Sequence, residues 1–467
     1  MNEPDQRENL RLLPSIDALL HSPLAEQIST ETGKSHLTML ARTAIDALRR
    51  KISGSPDGSG NYSREGLLKE ALENLESTRQ AEKNTSLRRV INATGVIVHT
   101  NLGRAPLSEN ARRALVETAS GYCNLEYDIA TGKRGKRGAR AEQLLAELTG
   151  AEGALIVNNC AAAAFLILKV LAFGGEVVIS RGELVEIGGD FRVPDVMEQS
   201  GATMREVGTT NRTKLSDYEK AANENTKLFL KVHPSNYRIV GFTESPDLKE
   251  LAELAHRRDV LLYEDAGSGA IFDLSSYGLT DEPMIADSIK AGADVVSFSG
   301  DKLLGGAQSG LIVGRQEVIE RIRKHPLYRA LRVDKTIYAA LEATLESFRR
   351  ETALTEIPVL KMLSTTNIEL KKRAEKFAAG FGENSNLHIA TIAGNSVIGG
   401  GSAPTVQPPT TLLAVTHLKM STGKLEESLR FSTPPVITRI LEDKVLIDLR
   451  TVSETEETEL RQILREF

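Results

Sequence analysis

The pattern that most limits the fold of this chain begins at about residue 88, where short apolar runs start to alternate with helical stretches. This alternation predicts an α/β domain with a mostly parallel sheet, because parallel strands need crossover connections, which are usually helices. Helical runs at residues 140–148, 160–171 and 247–257 separate the apolar runs. Candidate strands lie at residues 154–157, 176–179, 203–207, 228–232, 260–263, 294–297 and 311–313. Sheets of this kind bind ligands beyond the carboxyl ends of their strands.

The sequence on either side of this pattern differs in character, and a chain of 467 residues is long enough for more than one domain. Residues 53–61 are rich in glycine and serine and predict a flexible linker. After about residue 350, a long helix, a Gly/Ser/Pro-rich stretch and further strand-like runs indicate a smaller α+β domain. We predict a helical domain at residues 1–60, a linker helix at 61–87, a large domain at 88–350 and a small domain at 351–467.

The composition limits the possible partners. The chain has 58 basic and 63 acidic residues, and this balance argues against a protein that coats a polyanion. It has no Trp and only 4% aromatic residues, so bases of single-stranded nucleic acid have few side chains to stack on. Arginines around the helical run at residues 37–52 form either a solvated helix face, which is the commoner case, or a module that docks on RNA backbone.

The cysteines and the hydropathy indicate the compartment. Cys123 and Cys160 form neither a disulfide framework nor a metal-ligand spacing, so we expect a reducing compartment and no metal. The first residues lack an apolar signal core, and no run approaches the roughly 20 apolar residues of a membrane span. We therefore expect a cytoplasmic protein that binds no membrane and no DNA.

Lys302 is the strongest candidate for covalent chemistry. It lies in the Gly/Ser-rich loop SGDKLLGG at residues 299–306, between two apolar runs. A lysine in such a loop can be partly desolvated and can form a Schiff base with a carbonyl. A lone lysine is more often a surface residue or an ion-pair partner, but the apolar flanks and the glycines favour the Schiff base here.

Two further signals agree with a Schiff-base cofactor. The run VNNCAAAAF at residues 157–165 turns from a strand directly into a helix, and its small residues let a phosphate approach the amide groups of Asn159, Cys160 and Ala161. Asp265 follows another candidate strand and can pair with a protonated ring nitrogen. Ser299 can hydrogen-bond the same phosphate. Taken alone, the helix could simply be buried, and the aspartate could cap a turn or bind a metal. Together with Lys302, these residues favour pyridoxal phosphate.

Arginines outnumber what one cofactor phosphate requires. The run GKRGKRGAR at residues 132–140 includes Arg137, and Arg104, Arg329 and Arg332 fall in loop-like stretches. A basic run is usually only solvated, but a glycine-rich one can fold over phosphate or another oxyanion. We therefore expect a second anion site.

Three motifs carry a family resemblance. VINATGVIVHTNLGRAPL at residues 90–107, SRGELVEIGGDFRVP at 180–194 and SGDKLLGG at 299–306 resemble the bacterial selenocysteine synthases, the L-seryl-tRNA(Sec) selenium transferases. The resemblance covers essentially the whole chain. It implies a fold-type I PLP-dependent transferase with a large domain on a mostly parallel sheet, a small C-terminal α+β domain and a small N-terminal helical domain. It also implies that Lys302 carries the cofactor and that Asp265 holds the ring nitrogen.

The same resemblance implies the reaction and the partners. Seryl-tRNA(Sec) would lose water by β-elimination, and selenium from selenophosphate would add to the resulting aminoacrylyl-tRNA. Asp301 would be catalytic beside the lysine, and Arg104, Arg329 and Arg332 would hold the selenium donor. The N-terminal module would grip the tRNA, and the chain would assemble as a ring of dimers, a decamer.

Two other functions are open at this stage. A relative with the same core could eliminate water or ammonia from a free small amino acid or amino sugar acid phosphate. Such an enzyme has no use for an N-terminal RNA module, which residues 1–60 supply here. Alternatively, the protein could be a tRNA-binding scaffold without chemistry, but the presence of Lys302, Asp265 and Asp301 argues against that function.

Overall fold

The computed structural model describes residues 8–54, 62–188, 191–381 and 386–467. These residues form two compact units, Met1–Arg89 and Val90–Phe467. Most of the flexible linker predicted at residues 53–61 lies outside the described residues. Within the described ranges, no helix is both long enough and apolar enough to cross a membrane.

The first unit is a set of helices around one apolar core. Serine hydroxyls begin several of the helices: Ser15, Ser22 and Ser63 each accept a hydrogen bond from a backbone N–H of the first turn, which otherwise has no partner within the helix. The helices are α1 (Ile16–Leu20), α2 (Pro23–Thr32), α3 (Lys34–Ser53) and α4 (Arg64–Thr85).

Helix α4 belongs to the core of this first unit and packs on α3. The apolar pattern predicts a face of Leu68, Leu72 and Leu75 on this helix. In the structure the fully buried stripe is Leu67, Ala71 and Leu75, with Leu68 and Leu72 partly buried beside it. The small Ala71 belongs to the same buried core as residues of α3. A count of leucines alone does not reveal this position.

The second unit contains a large sheet and a small sheet, both covered by helices. Its strands are β1 (Ile91–Asn92), β2 (Tyr127–Asp128), β3 (Lys133–Arg134), β4 (Gly153–Val157), β5 (Glu176–Ser180), β6 (Glu186–Gly188), β7 (Phe191–Arg192), β8 (Thr203–Val207), β9 (Thr226–Val232), β10 (Leu261–Gly267), β11 (Val295–Ser299), β12 (Gly310–Gly314), β13 (Leu387–Asn395), β14 (Pro409–His417), β15 (Val436–Ile437), β16 (Arg439–Leu441) and β17 (Lys444–Asp448). Its helices are α5 (Glu109–Ala119), α6 (Ala139–Thr149), α7 (Cys160–Leu171), α8 (Val193–Ser200), α9 (Leu215–Ala221), α10 (Leu248–Arg257), α11 (Ile285–Lys290), α12 (Gln316–Lys324), α13 (Pro326–Leu331), α14 (Lys335–Arg349), α15 (Ala353–Glu356), α16 (Pro358–Ser364), α17 (Asn367–Ala378), α18 (Thr422–Arg430) and α19 (Glu454–Leu464).

The large sheet has the strand order β4-β12-β11-β10-β9-β5-β8. Strand β12 runs antiparallel to both neighbours, and the other pairs are parallel. Each candidate strand of the sequence forms one strand of this sheet, so the predicted mostly parallel sheet is confirmed. Strand β10 continues beyond its apolar run to Gly267, because Asp265 still pairs with Val232 of β9 and with Ser297 of β11.

Apolar layers cover both faces of the large sheet. Along β4, Ala154 and Ile156 enter one layer, while Leu155 and Val157 enter the other. The first layer receives helices α6, α10 and α14, and the second receives α7, α8 and α12. Burial on both faces explains why most of these strands read as continuous apolar runs rather than as alternating patterns, whereas the edge strand β8 is exposed at four of its five residues.

The small sheet has the order β13-β14-β17-β16 and shares an apolar core with α17, α18 and α19. This core includes Ile91, because β1 pairs with β15. A few residues further on, the N–H of Val98 donates to the carbonyl of Ile398 at 2.8 Å. The glycine-rich residues 399–401 are thereby brought next to the beginning of the second unit.

Gly95, in the first of the three motifs, packs against a buried carboxylate that leaves no room for a side chain at this position. Its φ is +76°, and a Cβ at this position would lie 2.2 Å from Oδ2 of Asp448. Asp448 is fully buried and accepts hydrogen bonds from Ser396 at 2.7 Å and Thr410 at 2.9 Å. Gly95→Ala is expected to lower the free energy of unfolding by about 3 kcal/mol, through the left-handed backbone and the displaced carboxylate.

Denaturant unfolding of the purified variants would measure this loss. Gly150→Ala is the matched control, because Gly150 also has a positive φ, +69°, but no described atom lies within 4 Å of its Cβ position. The control is expected to lose about 1 kcal/mol, from the backbone conformation alone. Equal losses in the two variants would contradict the packing role given to Asp448.

Candidate active site

Lys302 lies in the tight loop that joins β11 to β12. The loop is closed by hydrogen bonds from Gly300 N–H to the Ser309 carbonyl at 2.9 Å and from Gly306 N–H to the Gly300 carbonyl at 2.8 Å. The lysine is only 4% exposed, and its Nζ lies 3.5 Å from the carbonyl oxygen of Gly401. A buried amine with one backbone acceptor is available for covalent chemistry rather than for an ion pair at the surface.

Asp265 lies on the neighbouring strand, at the same edge of the sheet. It is 9% exposed, and its Oδ1 accepts hydrogen bonds from Ser297 Oγ at 3.3 Å and from Cys160 Sγ at 3.5 Å. Behind them, the Tyr263 hydroxyl lies 2.7 Å from Ser297 Oγ. Burial raises the pKa of Asp265, and the nearby Lys302 charge opposes that rise. The carboxylate is therefore fixed in place and would be further stabilised by a cation placed against it.

Helix α7 begins directly beside this pair. The Asn159 side chain caps the helix by accepting from Ala162 N–H at 2.8 Å, and the remaining first-turn amides have no partner within a helix. A Cβ on Gly310 would lie 2.0 Å from the Asn159 carbonyl oxygen, so this glycine allows β12 to approach the helix start. Gly310 pairs with Ser299 at the end of β11. The structure thus brings the predicted phosphate residues together at one point.

Cys160 takes part in this arrangement through its thiol as well as its backbone. Burial raises the pKa of the Cys160 thiol, so the thiol is neutral at physiological pH. It donates a hydrogen bond to the Asp265 carboxylate. The sequence indicated only the backbone amide of this residue. Its side-chain contact depends on the tertiary fold, because β12 and β11 lie between β4 and β10 in the sheet, and the carboxyl ends of β4 and β10 point the same way.

Arg104 and Asp301 form an ion pair next to the lysine loop. Arg104 Nη1 lies 2.9 Å from Asp301 Oδ2, and the carboxylate side chain is only 6% exposed. The carbonyl of Asp301 also accepts from Ala105 N–H at 3.3 Å. Arg104 itself has a φ of +61°, a strained conformation for a side-chain-bearing residue, and such strain concentrates at functional sites.

The other predicted arginines lie near the start of α7. Arg137 and Arg332 both approach the carboxylate of Glu126, at 3.1 and 3.7 Å. Arg332 forms an isolated β-bridge with Val157, the last residue of β4. Arg329 is exposed on α13, one turn before Arg332. The structure therefore brings Arg137 and Arg332 together at Glu126, whereas Arg329 is near them only through its position in the chain, three residues before Arg332.

Sequence reasoning missed three residues around this site. Gly401 approaches Lys302 so closely that a Cβ there would lie 3.3 Å from the lysine Nζ, and Ser235 Oγ lies 3.8 Å from the same Cβ position. Glu126 neutralises the arginines. The sequence signal for Gly401 is the run of three glycines at residues 399–401, since such a run indicates close approach of another group. In the structure all three glycines have positive φ.

The site has the groups that pyridoxal phosphate requires. The start of α7 offers amide donors for a phosphate, Asp265 offers a buried carboxylate for a ring nitrogen, and Lys302 offers a buried amine for a carbonyl. Gly401 leaves room next to that amine. The residues present are compatible with this cofactor in both shape and charge.

Comparison with known proteins gives a consistent result. Residues 90–453 match the family described as SelA: L-seryl-tRNA selenium transferase. The chain is 44% identical to the L-seryl-tRNA(Sec) selenium transferase of Geobacter sulfurreducens, over 97% of this chain and 98% of that protein. It is 47% identical to the protein of the same name from Aquifex aeolicus, over 98% of both chains.

Among solved structures, that of D-glucosaminate-6-phosphate ammonia-lyase superposes with a TM-score of 0.58 at 21% identity, covering 83% of this chain and 97% of that one. This likeness concerns the fold alone, and it confirms the predicted fold-type I architecture. The identity to the selenium transferases extends over nearly the whole length of both proteins. The chain therefore belongs to the L-seryl-tRNA selenium transferase family.

Proposed function

We propose that this protein converts L-seryl-tRNA(Sec) to L-selenocysteinyl-tRNA(Sec), with pyridoxal phosphate as cofactor and selenophosphate as selenium donor. The observation that carries the proposal is the family match over residues 90–453, a region in which Lys302 and Asp265 lie buried at the carboxyl edge of the large sheet. The relatives from Geobacter sulfurreducens and Aquifex aeolicus carry this activity in their names. The likeness to an ammonia-lyase at 21% identity concerns the fold and does not favour the free small-substrate reaction.

Each group around Lys302 has a role in holding the cofactor. Lys302 would hold the cofactor through its buried amine, and Asp265 would hold the ring nitrogen in its protonated form, because a buried carboxylate is stabilised by an adjacent cation. Cys160 and Ser297 fix the direction of that carboxylate by donating to Oδ1. When bound, pyridoxal phosphate supplies an electron sink for carbanion chemistry at the substrate α-carbon. Asn159, Cys160, Ala161 and Ser299 would hold its phosphate.

The arginines serve the selenium donor. In the overall reaction the serine hydroxyl leaves as water, selenium bonds the β-carbon, the α-carbon regains a proton, and water cleaves the selenium–phosphorus bond of the donor to release phosphate. We assign the donor's oxyanion to the guanidinium groups of Arg104, Arg137, Arg329 and Arg332, since guanidinium groups match phosphate oxygens in geometry and charge. Asp301 is assigned a catalytic role beside Lys302, and its ion pair holds the Arg104 side chain in one orientation.

The remaining parts of the proposal concern partners. The N-terminal unit binds the tRNA, and the protein works in the cytoplasm as a ring of dimers, a decamer. Support comes from the helices of Met1–Arg89, which form a compact unit of their own, and from membership of the family.

The direct test supplies purified protein, loaded with pyridoxal phosphate, with seryl-tRNA(Sec) and selenophosphate. Selenocysteinyl-tRNA(Sec) is the expected product, detected by acid hydrolysis and amino-acid analysis or by selenium radiolabel. Free serine with selenophosphate is the matched control and is expected to give no selenocysteine. The proposal fails if seryl-tRNA(Sec) gives no product while a free small amino acid, or an amino sugar acid phosphate, is turned over.

A further inference from the structure

Glu126 occupies the place where an oxyanion would meet the arginines. Its Oε1 lies 3.1 Å from Arg137 Nη1 and 3.7 Å from Arg332 Nη1, and its Oε2 lies 2.8 Å from Arg134 Nη2. The Glu126 side chain is 25% exposed, and those of Arg137 and Arg332 are 19% and 28% exposed. The hydrogen bond from Arg137 holds the pKa of Glu126 below its usual value, so the group is a carboxylate at neutral pH.

The local fold sets Glu126 against the basic segment that follows it. Strands β2 and β3 form a hairpin, and the N–H of Gly135 donates to the Glu126 carbonyl at 3.0 Å. The glycine-rich basic run is thus the second half of a hairpin whose first half carries the acid. The hairpin therefore places the Glu126 carboxylate beside Arg137, one of the arginines that the sequence predicts to bind a substrate anion.

Arg137 has contacts besides the one with Glu126. Its Nη2 donates to the Val333 carbonyl at 2.8 Å, and its guanidinium lies over the Tyr338 ring, 5.7 Å from the centroid. Gly138 allows this ring to approach, because a Cβ there would lie 2.0 Å from it. Within the described residues, the buried Nε of Arg137 has no hydrogen-bond partner. The Arg137 guanidinium therefore keeps one donor that no described acceptor satisfies.

The arginines are also next to the predicted cofactor site. The N–H of Asn158 donates to the Leu331 carbonyl at 2.9 Å, and Arg332 bridges Val157. These contacts join the end of β4, two residues before the cap of α7, to the segment that carries Arg332. An anion bound there would lie beside the start of that helix.

A guanidinium group binds a carboxylate and a tetrahedral oxyanion through the same donors, so the two anions compete. We infer that Glu126 is an internal competitor for the oxyanion site of Arg137 and Arg332, and that it lowers the affinity of that site for phosphate. The inference rests on the proposed selenium-donor site and adds to it a residue that sets its affinity. Glu126 is a positioning and affinity-setting residue, and it takes no part in bond making.

The inference is tested by isothermal titration calorimetry, in which inorganic phosphate is titrated into the cofactor-loaded full chain. Glu126→Gln keeps the hydrogen-bonding shape but removes the charge. It is expected to bind phosphate about tenfold more tightly than wild type, the factor for loss of one competing charge-assisted contact. Glu346→Gln is the matched control, because Glu346 is similarly exposed, 21%, and pairs with Arg140 at 2.6 Å. It is expected to bind phosphate as wild type does.

A second variant protects the test against misfolding. Glu126→Asp retains the charge but retracts it from the arginines, and it is expected to show tighter phosphate binding as well, by a smaller factor. Stronger inhibition of selenocysteinyl-tRNA formation by added phosphate should accompany both changes. Variants that melt like wild type but bind phosphate equally or less tightly would overturn the inference.

The calorimetric result does not depend on tRNA or selenium. Tighter phosphate binding in Glu126→Gln supports the competitor role even if the wild-type protein makes no selenocysteinyl-tRNA. Unchanged phosphate binding overturns the role even if the wild-type protein does make it. Failure of the inference and failure of the proposed function are thereby separated.

Discussion

Lys302→Ala is expected to abolish selenocysteinyl-tRNA formation, with a loss of at least about 10⁴-fold, the scale on which removal of a covalent catalytic group acts. The reason is that Lys302 Nζ is a buried amine at the carboxyl edge of the sheet, beside Asp265 and the start of α7. The variant should also lack the visible absorbance of a cofactor bonded to a lysine amine. Spectroscopy before and after borohydride reduction, together with the product assay, measures both effects.

The control for this experiment is Lys290→Ala. Lys290 is 77% exposed at the end of α11 and pairs with Asp287 at 3.4 Å, so its loss should leave absorbance and activity unchanged. Peptide mapping after borohydride should find the reduced cofactor on Lys302 in wild type. Lysine-bound absorbance that persists in Lys302→Ala, or that is missing from wild type, would contradict the assignment.

Removal of residues 1–89 is expected to abolish reaction with seryl-tRNA(Sec) while the remaining chain keeps its lysine-bound cofactor absorbance. The boundary follows from the compact units Met1–Arg89 and Val90–Phe467. The cofactor groups all lie in the second unit, so their geometry does not require the first. A large RNA substrate, however, gains much of its affinity from contacts away from the reacting ester, through summed phosphate neutralisation.

The truncated and full-length proteins should therefore be compared both in the product assay and by their absorbance before and after borohydride. A filter-binding measurement with seryl-tRNA(Sec) would separate weak binding from lost chemistry, and the truncated protein is expected to bind at least about a hundredfold more weakly. Turnover of seryl-tRNA(Sec) at the full-length rate would contradict the role of the N-terminal unit. That outcome would favour a reaction on a free small substrate.

The candidate site divides into residues that local sequence reveals and residues that it does not. Lys302 follows a strand that is buried on both faces, and Asp265 lies near the end of another. Such strands are easy to recognise because their apolar runs are continuous. Asn159 precedes a helix whose small residues are visible in the sequence. Each of these signals is local, so each could be predicted without knowing the fold.

Glu126, Ser235 and Gly401 were not predictable in the same way. Glu126 looks like any acidic residue in a polar stretch. A local hairpin brings it to Arg134 and Arg137, but its contact with Arg332 joins it to a residue about two hundred positions further along the chain. Gly401 reaches Lys302 because Val98 pairs with Ile398, which brings the glycine-rich segment to the lysine loop. Contacts of this kind depend on packing between distant segments. A glycine run can signal that another group approaches closely, but it does not identify that group as Lys302.

The sequence by itself determined the mostly parallel sheet and the residues at its carboxyl edge, because hydrophobic periodicity and small residues at a helix start act locally. Only the tertiary structure decided which charges meet. It paired Arg104 with Asp301 and placed Arg137 and Arg332 on Glu126. The physical reason is that ion pairs form between whichever side chains the packed sheets and loops bring within a few ångströms, whatever their separation in the chain.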